Sequence, residues 1–353
     1  MGLPEIIIDF QTLAATAVKR SQRGIVALIV KDDTDTSFDT KVYTGVNEIE
    51  TASWTATNKD YIEKPFLGNP SKVIVERIPV AAIDYNDALT RLKNKKWNYL
   101  AIPGIATGDV ATISTWIKAE RDNNKKTFKA VLPNSVGDHE GIINFTTDNI
   151  KVGEETYTTS AYCARIAGVL AGLPFTRSST YYVLSEIDSV TESATPDEDI
   201  DSGKLILVND GVKIKIGRGV NSLTTFTPTK SSIFSKIKIV EGIDLLRDDI
   251  RDTFDGSYVG QVVNNYDNKV LFLASVNAYL RSLADQDILD ISYDNKVEID
   301  IEAQKLYLQG KGIDIFSLSE QQIKEYNTDS KVFAKAQVRF VDAMEDLQFT
   351  VYM

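Results

Sequence analysis

The chain has 353 residues, of which 43% are hydrophobic and 25% are charged, a balance typical of globular proteins and not of disordered chains. Its length exceeds what one ordinary hydrophobic core supports, so two or three domains are expected. The formal net charge of −11 argues against a general nucleic-acid or anionic-membrane binder, because neither half of the chain carries a basic block.

Export and membrane insertion are not expected. The single cysteine, Cys163, excludes an internal disulfide framework and suits a reducing compartment. It lies in a run of small residues with helical character, where a buried core position is expected. No apolar stretch reaches the roughly 18 residues needed to cross a bilayer, and the first residues lack the basic and apolar regions of a secretory signal.

Residues 1–22 form the first predicted segment, an extended N-terminal arm. Ile6, Ile8 and Phe10 fall on alternate positions, which is the period of a strand. About 20 extended residues reach roughly 65 Å, so this arm is long enough to touch a neighbouring subunit. The alternative is an ordinary first strand of the first domain.

Strands and helices alternate from residue 23 to residue 203, which predicts an α/β region of one or two subdomains with a mostly parallel, helix-covered sheet. The predicted strands are 24–30, 72–77, 97–102, 128–132 and 142–145. The predicted helices are 86–92, 107–121 and 158–171. Residues 190–203 are polar and acidic, with Pro196 and Gly203 as breakers, and we place a domain boundary after them.

Residues 204–342 are predicted to form a C-terminal α+β domain. Its first element is a hairpin of residues 204–208 and 212–216 around Asn209-Asp210-Gly211, a strong turn signal. Helices over 238–254 and 269–283 follow, and the acidic residues of the first, Asp248, Asp249 and Asp252, are expected to be solvated. Val297, Ile299 and Ile301 alternate as in a strand.

The last 23 residues, 331–353, predict two strands around an acidic turn at 342–346. Val338 and Phe340 end the apolar face of the first strand, and Leu347, Phe349 and Val351 resume the alternation in the second. One interpretation is a hairpin that closes the sheet of its own domain. The other is an arm, 343–353, that pairs with another chain, because natural monomers usually cover an apolar edge strand.

The sequence gives only weak evidence for catalytic or metal-binding sites. The only histidine, His139, lies in a Gly-Asp-His-Glu-Gly loop without a recognisable nucleophile motif. One cysteine and one histidine are too few for the common zinc sites. Residues 197–201 hold three aspartates at the spacing of a calcium loop, but Ser202 and Val208 stand where that loop needs Gly and a bidentate Glu. We expect no catalytic residue, metal or cofactor.

A soluble nucleotide- or sugar-binding α/β enzyme with a β-rich appendage is the alternative function. Its site would lie at the carboxyl ends of the strands, near residues 103–109 and 133–139. The first of these loops lacks the phosphate-gripping Lys of a P-loop. Gly217-Arg218-Gly219 begins like a dinucleotide-binding motif, but Ser222 occupies the sixth position and no βαβ unit follows.

Several motifs resemble contractile phage tail sheath proteins. The C-terminal domain of that family is similar to Gly217-Arg218-Gly219-Val220-Asn221-Ser222-Leu223-Thr224, Lys238-Ile239-Val240, Tyr258-Val259-Gly260 and Val341-Asp342-Ala343-Met344-Glu345-Asp346-Leu347. Gly2-Leu3-Pro4-Glu5-Ile6 and residues 20–30 resemble the PBSX-type sheath proteins of Gram-positive bacteria and their phages, including phage-tail-like bacteriocins. The resemblance covers residues 205–353 and the start of the chain, and it is looser in the variable middle. Ser222 stands where similar proteins often carry Thr.

The resemblance implies a structural subunit and not an enzyme. Such subunits form stacked hexameric rings around an inner tube, and their contraction drives the tube through a target cell envelope. The implied partners are further copies of the chain, the inner tail tube protein, and the baseplate and tail terminator proteins, without nucleic acid or membrane insertion. The implied location is a phage virion tail or a phage-tail-like particle assembled in the bacterial host cytoplasm; a secretion-like injection system is another machine of the same class.

The resemblance also assigns roles to the two chain ends. Both arms would join neighbouring subunits by β-strand addition, with residues 331–341 in the domain's own sheet and 342–346 as a hinge before the C-terminal arm. The implied contact residues of the arms are Ile6, Ile8, Phe10, Leu347, Phe349 and Val351.

Overall fold

In the computed structural model, which describes residues 23–353, the chain separates into two units. The larger unit is described over residues 23–244 and 342–353, and the smaller unit comprises Leu245–Val341. The C-terminal residues therefore return to the larger unit after the smaller one is complete.

The larger unit contains a mixed sheet of seven strands in the order β10-β6-β5-β4-β1-β3-β2. All neighbours in this sheet are parallel except β2 and β3, which confirms the predicted mostly parallel sheet. Strands β7 to β9 form a separate antiparallel sheet, and β11 and β12 form a hairpin. The strands are β1 (Ile25–Lys31), β2 (Thr40–Tyr43), β3 (Lys72–Ile78), β4 (Tyr99–Ala101), β5 (Lys129–Pro133), β6 (Ile142–Phe145), β7 (Asp148–Val152), β8 (Glu155–Tyr157), β9 (Ser189–Thr191), β10 (Lys204–Leu205), β11 (Leu207–Asn209) and β12 (Ile214–Ile216).

Helices cover both faces of the main sheet. The central strand β1 is apolar at almost every position because Val26, Leu28 and Val30 enter one core and the intervening residues enter the other. The helices are α1 (Ala56–Glu63), α2 (Asn86–Lys93), α3 (Thr107–Asp122), α4 (Thr159–Gly172), α5 (Pro196–Asp201) and α6 (Ile237–Ser257), of which α6 supplies residues to both units. Short 3₁₀ helices of this unit are Val46–Glu48, Thr51–Ser53, Lys64–Gly68 and Ser232–Ser235.

The two units divide between Asp244 and Leu245, not after Gly203 as the sequence suggested. The polar stretch before Gly203 holds the short helix α5, and the chain then re-enters the main sheet because β10 pairs in parallel with β6. The hairpin around Asn209-Asp210-Gly211 is confirmed, with Leu207 opposite Ile216, but its apolar side chains join the core of the larger unit. Polar composition marked an exposed helix and not a boundary.

The smaller unit is built around a two-stranded antiparallel sheet and the long helix α7. Its elements are α7 (Tyr266–Ala284), β13 (Lys296–Ile299), α8 (Ile301–Gly310), a 3₁₀ turn (Ile315–Ser317), α9 (Glu320–Glu325) and β14 (Ala334–Gln337). Val297 and Ile299 are buried as the alternation predicted, but Ile301 begins α8. The reason is the side chain of Asp300, which accepts a hydrogen bond from the N–H of Ala303 and starts the helix.

The C-terminal hairpin is not formed in this structure. β14 pairs with β13, with Ala334 opposite Ile299 and Gln337 opposite Lys296, so residues 334–337 do belong to the sheet of their own unit. Residues 342–353 lie outside every strand of the described chain. Alternation in sequence predicts that the last residues form a strand, but it could not choose between the preceding strand and another chain as the partner.

Candidate assembly site

The outer edge of β14 offers an unpaired row of backbone groups. The carbonyl of Phe333 accepts from the N–H of Asp300 at 3.0 Å, and the carbonyl of Arg339 accepts from the N–H of Asp290 at 2.8 Å. Odd-numbered residues therefore point their backbone groups towards the strand's own partner, and even-numbered residues point theirs away. The outward-pointing residues are Ala334, Ala336, Val338 and Phe340. Within residues 23–353 no strand pairs with this edge.

The side chains of β14 leave this edge accessible. All four residues of the strand are exposed, and its contribution to the outward row is two alanines. Lys335 forms an ion pair with Glu298 on the neighbouring strand at 3.3 Å, which supports the register with β13. The strand carries neither a proline nor an inward-pointing charge, the features by which proteins usually block an edge.

Residues 342–346 are held to the larger unit by a polar cluster that we call the acidic clasp; it consists of Asp342, Glu345 and Asp346 with their partners Ser178, Thr180, Arg218 and Lys236. At its centre, one carboxylate oxygen of Glu345 accepts hydrogen bonds from the hydroxyls of Ser178 at 2.8 Å and Thr180 at 2.6 Å. The segment predicted to be a hinge is thus a point of attachment.

Two cations complete the acidic clasp. Lys236 contacts Asp342 and lies 3.6 Å from the second oxygen of Glu345, and Arg218 contacts Asp346. Burial disfavours the charge of Lys236, yet the two carboxylates raise its pKa above its usual value. The hydrogen bond to Asp346 likewise raises the pKa of Arg218. Both cations therefore stay charged wherever the carboxylates are ionised.

The acidic clasp also explains the glycine motif that the sequence singled out. The N–H of Gly219 donates to the hydroxyl of Thr180 at 2.9 Å. A Cβ at Gly219 would lie 2.5 Å from the hydroxyl oxygen of Ser179, so a side chain does not fit. The motif brings Arg218 against the C-terminal segment, a role that sequence reasoning missed because the partners are more than a hundred residues apart.

Beyond the acidic clasp, the chain presents apolar side chains to solvent. The predicted arm residues Leu347, Phe349 and Val351 are 89%, 79% and 65% exposed. Burying one such side chain is worth about 1.5–3 kcal/mol, so the three together are a substantial driving force for association. The other predicted arm residues, Ile6, Ile8 and Phe10, lie outside the described residues.

The charged groups of α6 are more buried than the sequence suggested. Arg121 forms a bidentate pair with Asp244 at 2.9 and 3.0 Å, and Lys129 lies 2.8 Å from the same carboxylate and 2.9 Å from Glu241. Asp249, expected to be solvated, is fully buried and accepts from the hydroxyl of Tyr279. In the sequence, Glu241 and Asp244 lie among apolar residues of the helix, and this position could have indicated that its charged groups are buried.

The only histidine and the only cysteine of the sequence are both buried and hydrogen-bonded. The Nδ1 of His139 accepts from the N–H of Gly141 at 2.9 Å, and burial lowers the pKa of this histidine. Cys163 is buried in α4, where its thiol donates to the carbonyl of Thr159 at 3.3 Å and burial raises its pKa. Nε2 of His139 also lies 3.4 Å from Oδ1 of Asp122 at the end of α3, so both side chains are engaged in local structural contacts.

Metal-binding clusters and membrane-spanning helices are both absent from the part of the chain that the structure describes. Over residues 23–353, no cluster of three or more His, Cys, Asp or Glu side chains is placed to hold a metal ion. In the predicted aspartate run, Asp199 instead accepts from Ser193 and pairs with Lys204. None of the helices in this part of the chain is both long enough and apolar enough to span a membrane.

Comparisons with known proteins identify the class. Residues 79–222 match the family model of the phage tail sheath protein central domain, and residues 229–353 match that of the phage tail sheath C-terminal domain. The fold is similar to that of the sheath tail protein of Desulfitobacterium hafniense, with a TM-score of 0.72 and 17% identity over 84% of this chain and 94% of that one. The contracted helical sheath of the anti-feeding prophage gives a TM-score of 0.74 at 12% identity, covering 100% of this chain and 99% of that one.

The relatives in sequence place the chain within that class. The tail sheath protein of Clostridium phage phiCD119 is 40% identical over 302 residues, which cover 83% of both chains. The phage-like element PBSX protein XkdK of Bacillus subtilis is 30% identical over 182 residues, covering 50% of this chain and 39% of XkdK. The chain belongs to the phage tail sheath family of contractile injection systems, which confirms the resemblance seen in its motifs.

Proposed function

We propose that this chain polymerises as stacked hexameric rings around an inner tube and that the rings contract to drive the tube through a target cell envelope. The observation that carries the proposal is that one molecule presents both an open strand edge at β14 and an exposed, alternating apolar segment at 347–353. The two features are complementary, because the edge of β14 can accept a further strand and the segment 347–353 can supply one.

The joint between subunits is β-strand addition. An incoming arm bonds to the outward backbone groups of residues 334–340, and Leu347, Phe349 and Val351 fix its register because they lie on one face of the extended chain. Each backbone hydrogen bond contributes about 0.5–1.5 kcal/mol, so several per arm make a durable joint when repeated on every subunit. The N-terminal arm, residues 1–22 with Ile6, Ile8 and Phe10, is the second connection of this kind, and residues 343–353 are the first.

The geometry of such joints favours a ring or a helix. An edge and an arm are different surfaces, so the contact is heterologous, and heterologous contacts repeat into closed rings or open helical filaments. The structural relatives include an anti-feeding prophage sheath in a contracted state and a chain from its baseplate, which supports a helical sheath that meets a baseplate. The further partners are the inner tail tube and tail terminator proteins, in a virion tail or tail-like particle assembled in the host cytoplasm.

A structural role is favoured over the enzymatic alternative. The tail sheath proteins to which this chain is related are structural, and the exposed apolar arm serves association and not substrate binding. The work of contraction comes from the lattice of subunits. Subunits that are joined by arms can rotate and slide past one another without losing their connections.

The register of β14 gives a sharp experiment. Ala336→Pro removes an N–H that points outward and leaves the ladder with β13 intact, because edge strands tolerate proline at such positions. We expect a folded subunit, by circular dichroism and thermal melting, that forms no rings or tubes in electron micrographs.

Lys335→Pro is the matched control. Its N–H points towards β13, so this substitution breaks the ladder of the smaller unit and lowers the melting temperature. Normal tubes from Ala336→Pro would refute strand addition at β14.

A further inference from the structure

The second edge of the two-stranded sheet is closed by one side chain. The N–H of Val297 in β13 donates to Oδ1 of Asn277 at 2.8 Å, and Nδ2 of Asn277 donates to the carbonyl of Val297 at 3.0 Å. A side-chain amide carries one acceptor and two donors, so it satisfies both groups as a residue of a neighbouring strand would.

The register shows that these are the outward-pointing groups of β13. Glu298 lies opposite Lys335 and exchanges its backbone bonds with β14, whereas Val297, one residue earlier, points the other way. Ile299 is the last outward-pointing residue on this edge, because Asp300 caps α8 immediately afterwards. The edge of β13 is therefore short, and its first outward position is occupied.

Helix α7 holds the amide in place. The neighbouring residues Val276 and Leu280 are buried in the core of the smaller unit, and the helix packs against β13. Asn277 is partly buried between them, so its rotamer is restricted. A polar residue on an otherwise core-facing turn requires an explanation, and the two bonds to Val297 provide it.

We propose that Asn277 closes the outer edge of β13 and thereby directs the arm of a second copy, residues 347–353, to the edge of β14. The consequence for assembly rests on the proposed function. A sheet with two open edges would accept an arm on either side and form branched or mixed contacts. With one edge closed, the C-terminal arm of a neighbouring copy has a single edge of this sheet to pair with.

The closure itself is tested in the isolated full chain by hydrogen exchange of the Val297 amide. Asn277→Ala should speed exchange about tenfold, as expected when a hydrogen bond of about 1.4 kcal/mol is lost. Asn268→Ala is the matched control, because this asparagine lies on the same helix but donates to Val263. Equal exchange rates in the wild-type and Asn277→Ala chains would overturn the closure.

The direction of strand addition is tested by disulfide formation between copies. Cys163 is buried, so introduced cysteines react selectively. Gln348→Cys in the arm is combined with Lys335→Cys on β14 or with Glu298→Cys on β13, two positions that share the face of the sheet opposite to Val297. Adjacent strands lie about 4.8 Å apart, so only neighbours reach disulfide distance. Cross-linking should occur with Lys335→Cys, and it should extend to Glu298→Cys only when Asn277→Ala is added.

Two results of the cross-linking have different meanings. A cross-link to Glu298→Cys while Asn277 is present would overturn the proposed direction. The absence of a cross-link to either edge would contradict arm addition in the proposed function, and hydrogen exchange at Val297 would still decide the closure.

Discussion

At the scale of single residues, Asp244 shows how charge is accommodated in the larger unit. Burial alone would raise the pKa of this carboxyl, yet Arg121 and Lys129 hold it well below its usual range. The carboxylate is fully buried and bonded to both cations. Removing it would leave two cations in a space that excludes water.

Asp244→Asn should therefore destabilise the larger unit by about 3–5 kcal/mol, the usual loss when one partner of a buried ion pair is removed. The measurement is the midpoint of urea or guanidinium unfolding. Asp255→Asn, an exposed position on the same helix, is the control and should change the midpoint little. A loss below about 1 kcal/mol for Asp244→Asn, which is the size typical of a surface ion pair, would contradict the buried network.

Asp32 supports a prediction for acid stability. Burial acts to raise its pKa, but hydrogen bonds from Asn58, Thr55 and Thr34 lower it to about 2. Because the ordinary pKa of this carboxyl is 3.8, the stabilisation is complete well above that pH and is lost as the pH falls towards 2. Between these limits the midpoint of unfolding should decrease as the pH is lowered. The decrease per pH unit should be smaller in Asp32→Asn, which lacks this carboxyl. Identical slopes in the two proteins would refute this assignment.

At the scale of elements, the acidic clasp determines where the C-terminal segment leaves the larger unit. Its pairs are partly exposed, so each contributes modestly and is weakened by salt. Several bonds acting on three residues within 342–346 still restrict the segment that follows.

Arg218→Glu should release this segment because it places like charges at Arg218 and Asp346. A spin label on Thr350→Cys should become more mobile, and the added change Asp346→Arg should restore the original mobility. Lys213→Glu, an exposed charge reversal in the β11–β12 hairpin, controls for net charge. Unchanged mobility in Arg218→Glu would show that the clasp does not hold the arm.

The elements also differ in how far the sequence predicted them. Buried strands such as β1 and β5 are nearly continuous apolar runs, and α3 and α4 have clear helical periods. The local pattern of residues was therefore sufficient to predict these elements. The small sheet of β7, β8 and β9 was missed, because its strands are short and largely exposed. The pairing of β9 with β7 also depends on residues about forty positions apart, as in the bond between Asn149 and Thr191.

At the scale of the whole molecule, the chain combines two folded units with ends suited to other copies. Deleting residues 347–353 should leave both units folded, because these side chains are exposed, but should abolish rings and tubes in electron micrographs. The double variant Gln348→Ala/Thr350→Ala, on the opposite face of the arm, is the control and should assemble. Tubes of normal length from the truncated chain would contradict the role of the arm.

The sequence by itself determined the parallel α/β sheet, the main helices, the Asn209-Asp210-Gly211 turn and the family, because each depends on local periodicity or on contiguous motifs. Only the tertiary structure decided that Asp244 is buried in an ion network, that residues 342–346 are attached to the larger unit, and that β14 pairs with β13 while Asn277 closes the other edge. Those outcomes depend on which distant groups meet. A residue's own neighbours in sequence set its preference for a strand or a helix, but its partner and its burial are set by the fold.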